Sequence, residues 1–355
     1  MNRNDPRARE LLWTGKTAKS MGAKKAILRA LSPLDPNTLI FEVEENVKAS
    51  EPSRGKKLFT SIRAFSLTAC LSPALVCGLM GTYLEGWQIE SRSFVLSLLA
   101  LIFLQIAVNL FNDVEDHLNG VDLPGDIGGS GVIQKGWLSA STLAKLGYAC
   151  LVVALALGIP SLVAHWQVLT PVALIALVGT LGYSGFGFRF KYRAMGDFVV
   201  FFLCGPLLMT GLSVAAFGKT STGILIAGVV FGLASVGILH ANNLNDLEVD
   251  QSRGARTLAN QIGFKASKKY LFWIYLSAAF ILAFAAALHW LPVWFALGPF
   301  LLVWPVTQLL KKVKQASGPL SPSIAAIRFD AAKIHLSLGI IWLAAFSIKW
   351  FETIR

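Results

Sequence analysis

The chain has 355 residues, of which 54% are hydrophobic and only 15% are charged, and its formal net charge is +12. Soluble domains carry about 25% charged residues, so this composition excludes a water-exposed globule of this length. It also excludes a disordered chain and a disulfide-stapled secreted domain. The class that fits is a polytopic membrane protein.

Residues 1–59 precede the apolar part of the chain and hold 12 basic and 7 acidic residues, with no long apolar run. This pattern excludes a signal peptide. We expect a basic cytoplasmic tail that is either partly disordered or forms a membrane-surface helix over residues 16–29. The sequence therefore predicts two units, a tail over 1–59 and a membrane domain over 60–355.

Seven later stretches contain no Asp, Glu, Lys or Arg: residues 64–84, 93–112, 146–188, 198–218, 220–245, 270–310 and 334–348. Because one transmembrane helix needs about 20 apolar residues, 146–188 and 270–310 are expected to hold two spans each. The sequence thus predicts an all-α bundle of nine transmembrane helices. The segments that would share the side of the N-terminus contain 27 of the 32 lysines and arginines, which places the N-terminus in the cytoplasm by the positive-inside rule. The positive charge is therefore explained by orientation, and we expect no nucleic-acid partner.

The scarce acids collect at the ends of the second and sixth predicted helices. The two groups superpose at an offset of 133 residues, which indicates a weak internal repeat. On a helix, positions spaced by three, four and seven share one face, so each group would present its polar side chains together. One alternative is a pair of solvated helix ends. The first group contains Asn109, Asn112, Asp113 and Asp116, and the second contains Asn242, Asn243, Asp246 and Asp250.

Carboxylates that face each other across a bundle repel unless a cation lies between them. Hard oxygen ligands of this kind suit Mg²⁺, which prefers a few carboxylates together with substrate phosphate. Basic residues follow on the same predicted side, namely Lys191, Arg193, Arg253 and Arg256. The combination predicts a metal-bridged clamp for a diphosphate. A Gly-rich loop over residues 125–131 precedes Gln134, which could contact a ligand there.

The two motifs, Asn109-x-x-Asn112-Asp113-x-x-Asp116 and Asn242-Asn243-x-x-Asp246-x-x-x-Asp250, resemble those of the UbiA superfamily of intramembrane prenyltransferases. The resemblance covers roughly residues 60–350 and includes Arg63 ahead of the first helix. It implies that the four aspartates are catalytic and hold Mg²⁺, and that the asparagines, Lys191 and the three arginines bind the diphosphate of a polyprenyl donor. Tyr183 would lie near the allylic carbocation, and Asp122 is a candidate proton acceptor.

The first motif continues as Gly120-Val-Asp122, where the 4-hydroxybenzoate branch usually has Asp at the glycine position. This feature and the Asn pair are similar to the 1,4-dihydroxy-2-naphthoate polyprenyltransferases of menaquinone synthesis. The resemblance therefore implies a membrane enzyme of the bacterial inner membrane, with its site on the cytoplasmic side. It would transfer the prenyl chain to an aromatic acceptor and release pyrophosphate.

Alternatives are a superfamily member with another acceptor, such as 4-hydroxybenzoate, a lipid or quinone binder without turnover, or a transporter. Charged residues of transporters usually line a pathway at the membrane midplane. The acids here collect at the helix ends, which favours the enzyme.

Overall fold

The computed structural model describes residues 1–17, 24–35, 37–44, 52–125, 129–185 and 187–354, with side chains as far as residue 347. The chain is almost entirely helical, and one two-stranded antiparallel hairpin lies near the N-terminus. The elements are α1 (Pro6–Thr14), β1 (Lys25–Leu31), β2 (Leu39–Glu44), α2 (Arg54–Ile62), α3 (Thr68–Leu79), α4 (Ser91–Leu118), α5 (Ala140–Ala164), α6 (Trp166–Gly182), α7 (Gly196–Leu203), α8 (Pro206–Phe217), α9 (Thr222–Asn245), α10 (Leu247–Ser252), α11 (Leu258–Ala287), α12 (Val293–Leu297), α13 (Val303–Gln315) and α14 (Ile327–Ile354).

Eight helical segments within the described ranges are long and apolar enough to cross a membrane. The predicted count of nine is not confirmed, because the ninth apolar segment, α6, has only 17 residues, fewer than the about 20 that a span needs. The stretch 146–188 does hold parts of two helices, α5 and α6, which meet at His165. The stretch 270–310 is also divided, with α11 ending at Ala287. The orientation of the bundle stays a prediction.

Several helices begin where the sequence supplies an N-cap side chain. The hydroxyls of Ser139, Ser221 and Thr257 accept hydrogen bonds from backbone N–H groups three residues later, at 3.2, 3.2 and 3.4 Å. These bonds satisfy one of the four N–H groups that a helix start leaves without a partner. Polar caps therefore set the points at which α5, α9 and α11 begin.

Helix α9 lies at the centre of the bundle and packs against α3, α7, α8, α11 and α14. Its side chains form the main apolar core together with those of these neighbours. Helix α4 packs chiefly against α5, and the two share a second cluster with the loop that joins them. This arrangement brings the ends of α4 and α9, which carry the two groups of acids, to one cavity.

The N-terminal segment differs from the predicted tail. Residues 25–31 form strand β1, which pairs with β2, so no surface helix covers residues 16–29, although 18–23 lie outside the described residues. The strands pair because β2 reads Leu-Ile-Phe-Glu-Val-Glu, a run rich in β-branched and aromatic residues. The division of the chain at residue 59 stays a prediction.

Candidate active site

The carboxylates of α4 are held by cations from other parts of the chain. Arg63 Nη1 lies 3.4 Å from Asp113 Oδ1, and the backbone N–H of Ser130 donates to Asp113 Oδ2 at 3.2 Å. Lys191 Nζ lies 2.6 Å from Asp116 Oδ2. All of these ionic partners are buried or nearly so. The spacing of three places both aspartates on one face of α4.

Lys191 reaches Asp116 because a tight turn follows α6. The backbone over Phe190–Arg193 forms a single 3₁₀ turn, and the residues on either side of it, Arg189 and Ala194, have positive φ of 50° and 58°. The Lys191 N–H donates to the Tyr183 carbonyl at 2.8 Å, which folds the turn back over α6. The Tyr192 hydroxyl also donates to Asp116. The Asp116 carboxylate thus binds two neighbouring side chains of this turn, Lys191 and Tyr192.

The second group of acids lies where α9 breaks. Asp246 leaves the helical conformation, with φ −91° and ψ 7°, and α10 begins directly after it. Hydrogen bonds nevertheless continue in helical register, since the Asp250 N–H donates to the Asp246 carbonyl at 2.7 Å. The Asn242 amide donates to Asp246 Oδ2 at 3.1 Å. The predicted common face of Asn242, Asp246 and Asp250 therefore survives a break in the helix.

Both groups open into one cavity of about 570 Å³. Its walls are mainly apolar and come from helices α3 to α9 and α14. Ser97 and Asp116 both line it, and they are 19 positions apart on α4, so it follows about 28 Å of that helix. A deep apolar slot with charged groups at one end is suited to an amphiphile that has a long hydrocarbon tail and an anionic head.

The cavity brings together most, but not all, of the predicted site residues. The predicted residues that line it are Asn109, Asn112, Asp116, Asp122, Tyr183, Lys191, Asn242, Asn243, Asp246 and Asp250. Those that do not line it are Asp113, Gln134, Arg193, Arg253 and Arg256.

The residues outside the cavity wall make other contacts. Arg193 is exposed and donates to the Gly187 carbonyl at 3.1 Å. Arg256 is also exposed, and its carbonyl accepts from the Ala194 N–H at 2.7 Å. Arg253 donates to the Val121 carbonyl, and Gln134 donates to the Asp122 carbonyl at 3.3 Å. These contacts join the loops around the cavity.

Burial shifts the pKa values of several side chains that lie outside the membrane-spanning helices. Burial, and next the Asp116 carboxylate, raises the pKa of Asp122 to about 8. Burial also raises the pKa of Asp250 to about 7, against the opposing effect of Lys191. Burial lowers the pKa of Lys191, but the Asp116 and Asp122 carboxylates outweigh it and raise that pKa overall. Crowded carboxylates of this kind are typical of functional sites.

Arg328 is a cavity residue that sequence reasoning missed. It lies in the first turn of α14, lines the cavity, and donates from Nη1 to the Asn242 amide oxygen at 3.1 Å. Its Nε is buried without a hydrogen-bond partner among the described residues. In the sequence it is one of several basic residues between the last two spans, and no motif distinguishes it from them.

With this geometry in place, comparison with known proteins identifies the family. Residues 71–327 match the model of the UbiA prenyltransferase family. The chain belongs to this family. It is therefore a prenyltransferase and an integral membrane protein, and the resemblance drawn from the two acidic motifs is confirmed.

Relatives within the UbiA family include the named naphthoate enzymes. A 1,4-dihydroxy-2-naphthoate octaprenyltransferase from Haemophilus influenzae is 28% identical over 240 residues, 65% of this chain and 78% of that protein. A UbiA prenyltransferase domain-containing protein 1 homolog from Drosophila melanogaster is 26% identical over 298 residues, 82% of this chain and 79% of that protein. The name of the Haemophilus influenzae relative agrees with the branch that the motifs indicate.

The fold is that of solved UbiA homologs. One from Archaeoglobus fulgidus, bound to GPP and Mg²⁺, superposes with a TM-score of 0.57 at 15% identity, covering 82% of this chain and 99% of that one. At this identity the likeness shows the fold. The helical bundle around the cavity is therefore the common UbiA architecture.

The donor set of the cavity fits a divalent metal. Asp116, Asp246 and Asp250 offer carboxylate oxygens, Asn112 and Asn243 offer amide oxygens, and all five residues line the cavity. Within the described residues, no three His, Cys, Asp or Glu side chains converge as a closed metal cage. Mg²⁺ is usually held by one or two carboxylates together with substrate phosphates, so an open arrangement of hard ligands is the kind that suits it.

Proposed function

We propose that this UbiA-family enzyme transfers an isoprenyl chain from a polyprenyl diphosphate to 1,4-dihydroxy-2-naphthoate, in a Mg²⁺-dependent reaction that releases pyrophosphate. The observation that carries the proposal is the single cavity, with carboxylates and Lys191 at one end and a long apolar slot beyond them. The names of its relatives support the acceptor. The basic residues on one side of the bundle support a cytoplasmic site in a bacterial cell membrane.

The acidic end of the cavity would bind the diphosphate. Mg²⁺, held by Asp116, Asp246 and Asp250 with Asp113 adjacent to them, would supply the positive charge that lets the allylic C–O bond ionise. Lys191 and Arg328 would neutralise further phosphate oxygens, since both line the cavity. Asn112 and Asn242 hydrogen-bond to the carboxylates of Asp116 and Asp246 at 2.9 and 3.1 Å and would keep their side chains oriented.

The apolar part of the cavity would hold the prenyl chain. Leu104, Val108 and Leu155 are among the side chains of its wall. They keep bulk water away from the allylic carbon, so that the electron-rich acceptor carbon attacks in place of water. The ring of Tyr183 lies in the wall near Lys191 and could stabilise the cation through its π face.

Asp122 is the candidate for the general base of the reaction. It lines the cavity, and the rise of its pKa to about 8 keeps it able to accept and release a proton near neutral pH. We assign it the removal of a proton from the acceptor hydroxyl. In the naphthoate reaction the acceptor also releases its carboxylate as CO₂, and the electron pair of the broken carbon–carbon bond stays with the ring.

The test is mass spectrometry of the purified chain in lipid nanodiscs. It is offered 1,4-dihydroxy-2-naphthoate or 4-hydroxybenzoate, each with geranyl, farnesyl and longer diphosphates, with Mg²⁺ or with a chelator. We expect a prenylated naphthalene product and pyrophosphate only when Mg²⁺ is present. A product formed on 4-hydroxybenzoate alone would move the enzyme to the other branch, and absence of any prenylated product would reject the proposal.

A further inference from the structure

The N-terminal segment packs against the same end of the bundle as the active site. We define the N-terminal cap as α1, β1 and β2 within residues 1–44. Ala8, Leu12, Leu28 and Leu39 form a buried apolar cluster, and Leu118 and Leu123 of the membrane domain pack against it. Leu118 is the last residue of α4, and Leu123 directly follows Asp122. The cap thus covers the beginning of the loop between α4 and α5.

A buried hydrogen bond joins the cap to the first acidic motif. His117 Nε2 donates to the Leu12 carbonyl at 3.2 Å, and His117 is buried. His117 is the neighbour of Asp116, so the bond connects the end of α1 to the turn of α4 that carries the catalytic carboxylates. A buried bond of this type is costly to break, because the donor and the acceptor would both lose their partner without gaining water.

Two glycines let the cap approach the backbone of the loop. Gly120 and Gly136 have positive φ of 63° and 61°, which favours glycine. A Cβ at Gly120 would lie only 2.6 Å from the Arg3 guanidinium, and one at Gly136 would lie 2.9 Å from Ile27. Side chains of the cap therefore occupy the space that a side chain on the loop would need. The cap side chains lie directly against the loop backbone near both ends of the loop, at Gly120 and Gly136.

The opposite face of this loop forms part of the site. Asp122 lines the cavity, and the Ser130 N–H donates to Asp113 at 3.2 Å. The loop between α4 and α5 covers residues 119–139, of which the structure describes 119–125 and 129–139, whereas helix connections in bundles are usually about 2–8 residues long. A loop of this length is not ordered by its ends alone. The cap supplies the contacts on the side away from the cavity.

We propose that the N-terminal cap is a positioning element of the active site, which holds the 119–139 loop so that Asp122 and the Ser130 N–H stay in place. The inference rests on the proposed function of that site. It also assigns a role to residues 1–44, which the sequence places outside the membrane domain. Misplacement of a catalytic group by about 1 Å can cost 10²-fold in rate, so the effect is expected in turnover as well as in loop order.

The experiment uses the full chain in nanodiscs and compares Leu28→Asp with Leu34→Asp. Leu28 is 3% exposed in the cap cluster, whereas Leu34 is 97% exposed in the same hairpin region. For Leu28→Asp we expect amide hydrogen exchange over 129–139 to rise about tenfold while exchange in α9 is unchanged. We expect kcat/KM to fall about 10- to 100-fold. Leu34→Asp should match the natural chain in both measurements.

Leu28→Ala and Leu12→Ala are milder changes that replace Leu28→Asp if that variant does not accumulate in the membrane. Each should raise hydrogen exchange in the loop and lower kcat/KM by smaller factors than Leu28→Asp does. The variant with the larger rise in exchange should also show the larger fall in kcat/KM. Loop exchange that stays at the natural level in all of these variants would overturn the proposal, as would faster exchange with full activity. A natural chain without prenyl transfer would reject the proposed function instead, because loop exchange still reports on the cap.

Discussion

The two acidic motifs share their spacing but differ in what holds them. In the first motif, Asp113 and Asp116 are bound by Arg63 and Lys191, which come from the segment before α3 and the turn after α6. In the second motif, the contact of Asp246 with Asn242 comes from the same helix, and Asp250 lies one turn further along. Ion pairs with distant residues thus tie the first motif to two other parts of the chain. The second motif lies at a helix break, where Arg328 contacts the Asn242 amide.

The largest expected effect is loss of activity when either motif loses a carboxylate. Asp116→Asn and Asp246→Asn should each reduce Mg²⁺-dependent pyrophosphate release by about 10²–10³-fold, because each removes a carboxylate ligand of the Mg²⁺ that would stabilise the leaving pyrophosphate. Asp5→Asn is the matched control and should leave the rate unaltered, since Asp5 pairs with the exposed Arg7 at the start of α1 and Asn is also a good N-cap residue. Full activity in either site variant would remove that motif from the reaction.

Stability should separate the two motifs where activity does not. Asp116→Asn leaves Lys191 largely buried without its ionic partner, and loss of one partner of a buried pair costs about 3–5 kcal/mol. Asp246→Asn keeps the hydrogen bond with Asn242 of the same helix possible and should lower the unfolding temperature less than Asp116→Asn does. Thermal unfolding in detergent checks both. Equal unfolding temperatures for the two variants would contradict the difference described above.

Lys191 and Arg193 offer a smaller contrast within the turn after α6. Lys191 lines the cavity, whereas Arg193 is exposed and donates to a loop carbonyl. We expect Lys191→Ala to lower kcat/KM by about 100-fold and Arg193→Ala to lower it by no more than about threefold. Steady-state kinetics with a saturating acceptor decides this. A large loss in Arg193→Ala would mean that this side chain turns into the site when the diphosphate binds.

Arg328→Gln is expected to have the smallest effect on the reaction itself. Arg328 touches the second motif through Asn242, and its charge lies at the cavity wall. The variant should raise KM for the prenyl diphosphate about tenfold with little change in kcat, as for a group that contributes to binding. Lys312→Gln, in an exposed ion pair with Asp330, is the control. An unchanged KM in Arg328→Gln would exclude the residue from the donor site.

The spans and the acids could be predicted because both follow from local sequence. Segments that cross lipid must be long apolar helices. The matched spacing of the two acidic motifs indicated Asp116 and Asp246 as site residues. Lys191 was also found, because its loop lies between two clear spans. Arg328 could not be found, since it meets Asn242 only through the packing of α14 on α9. The cap could not be predicted, because strands as short as β1 and β2 show no long periodic pattern of apolar residues.

The proposed reaction requires that the two motifs form one Mg²⁺-dependent diphosphate site. Equilibrium binding of a radiolabelled prenyl thiodiphosphate to the purified chain in nanodiscs tests it most directly, with Mg²⁺ and with a chelator. We expect binding that requires Mg²⁺ and that weakens strongly in both Asp116→Asn and Asp246→Asn. Binding that is unaffected by the chelator, or that persists unchanged in either variant, would contradict it.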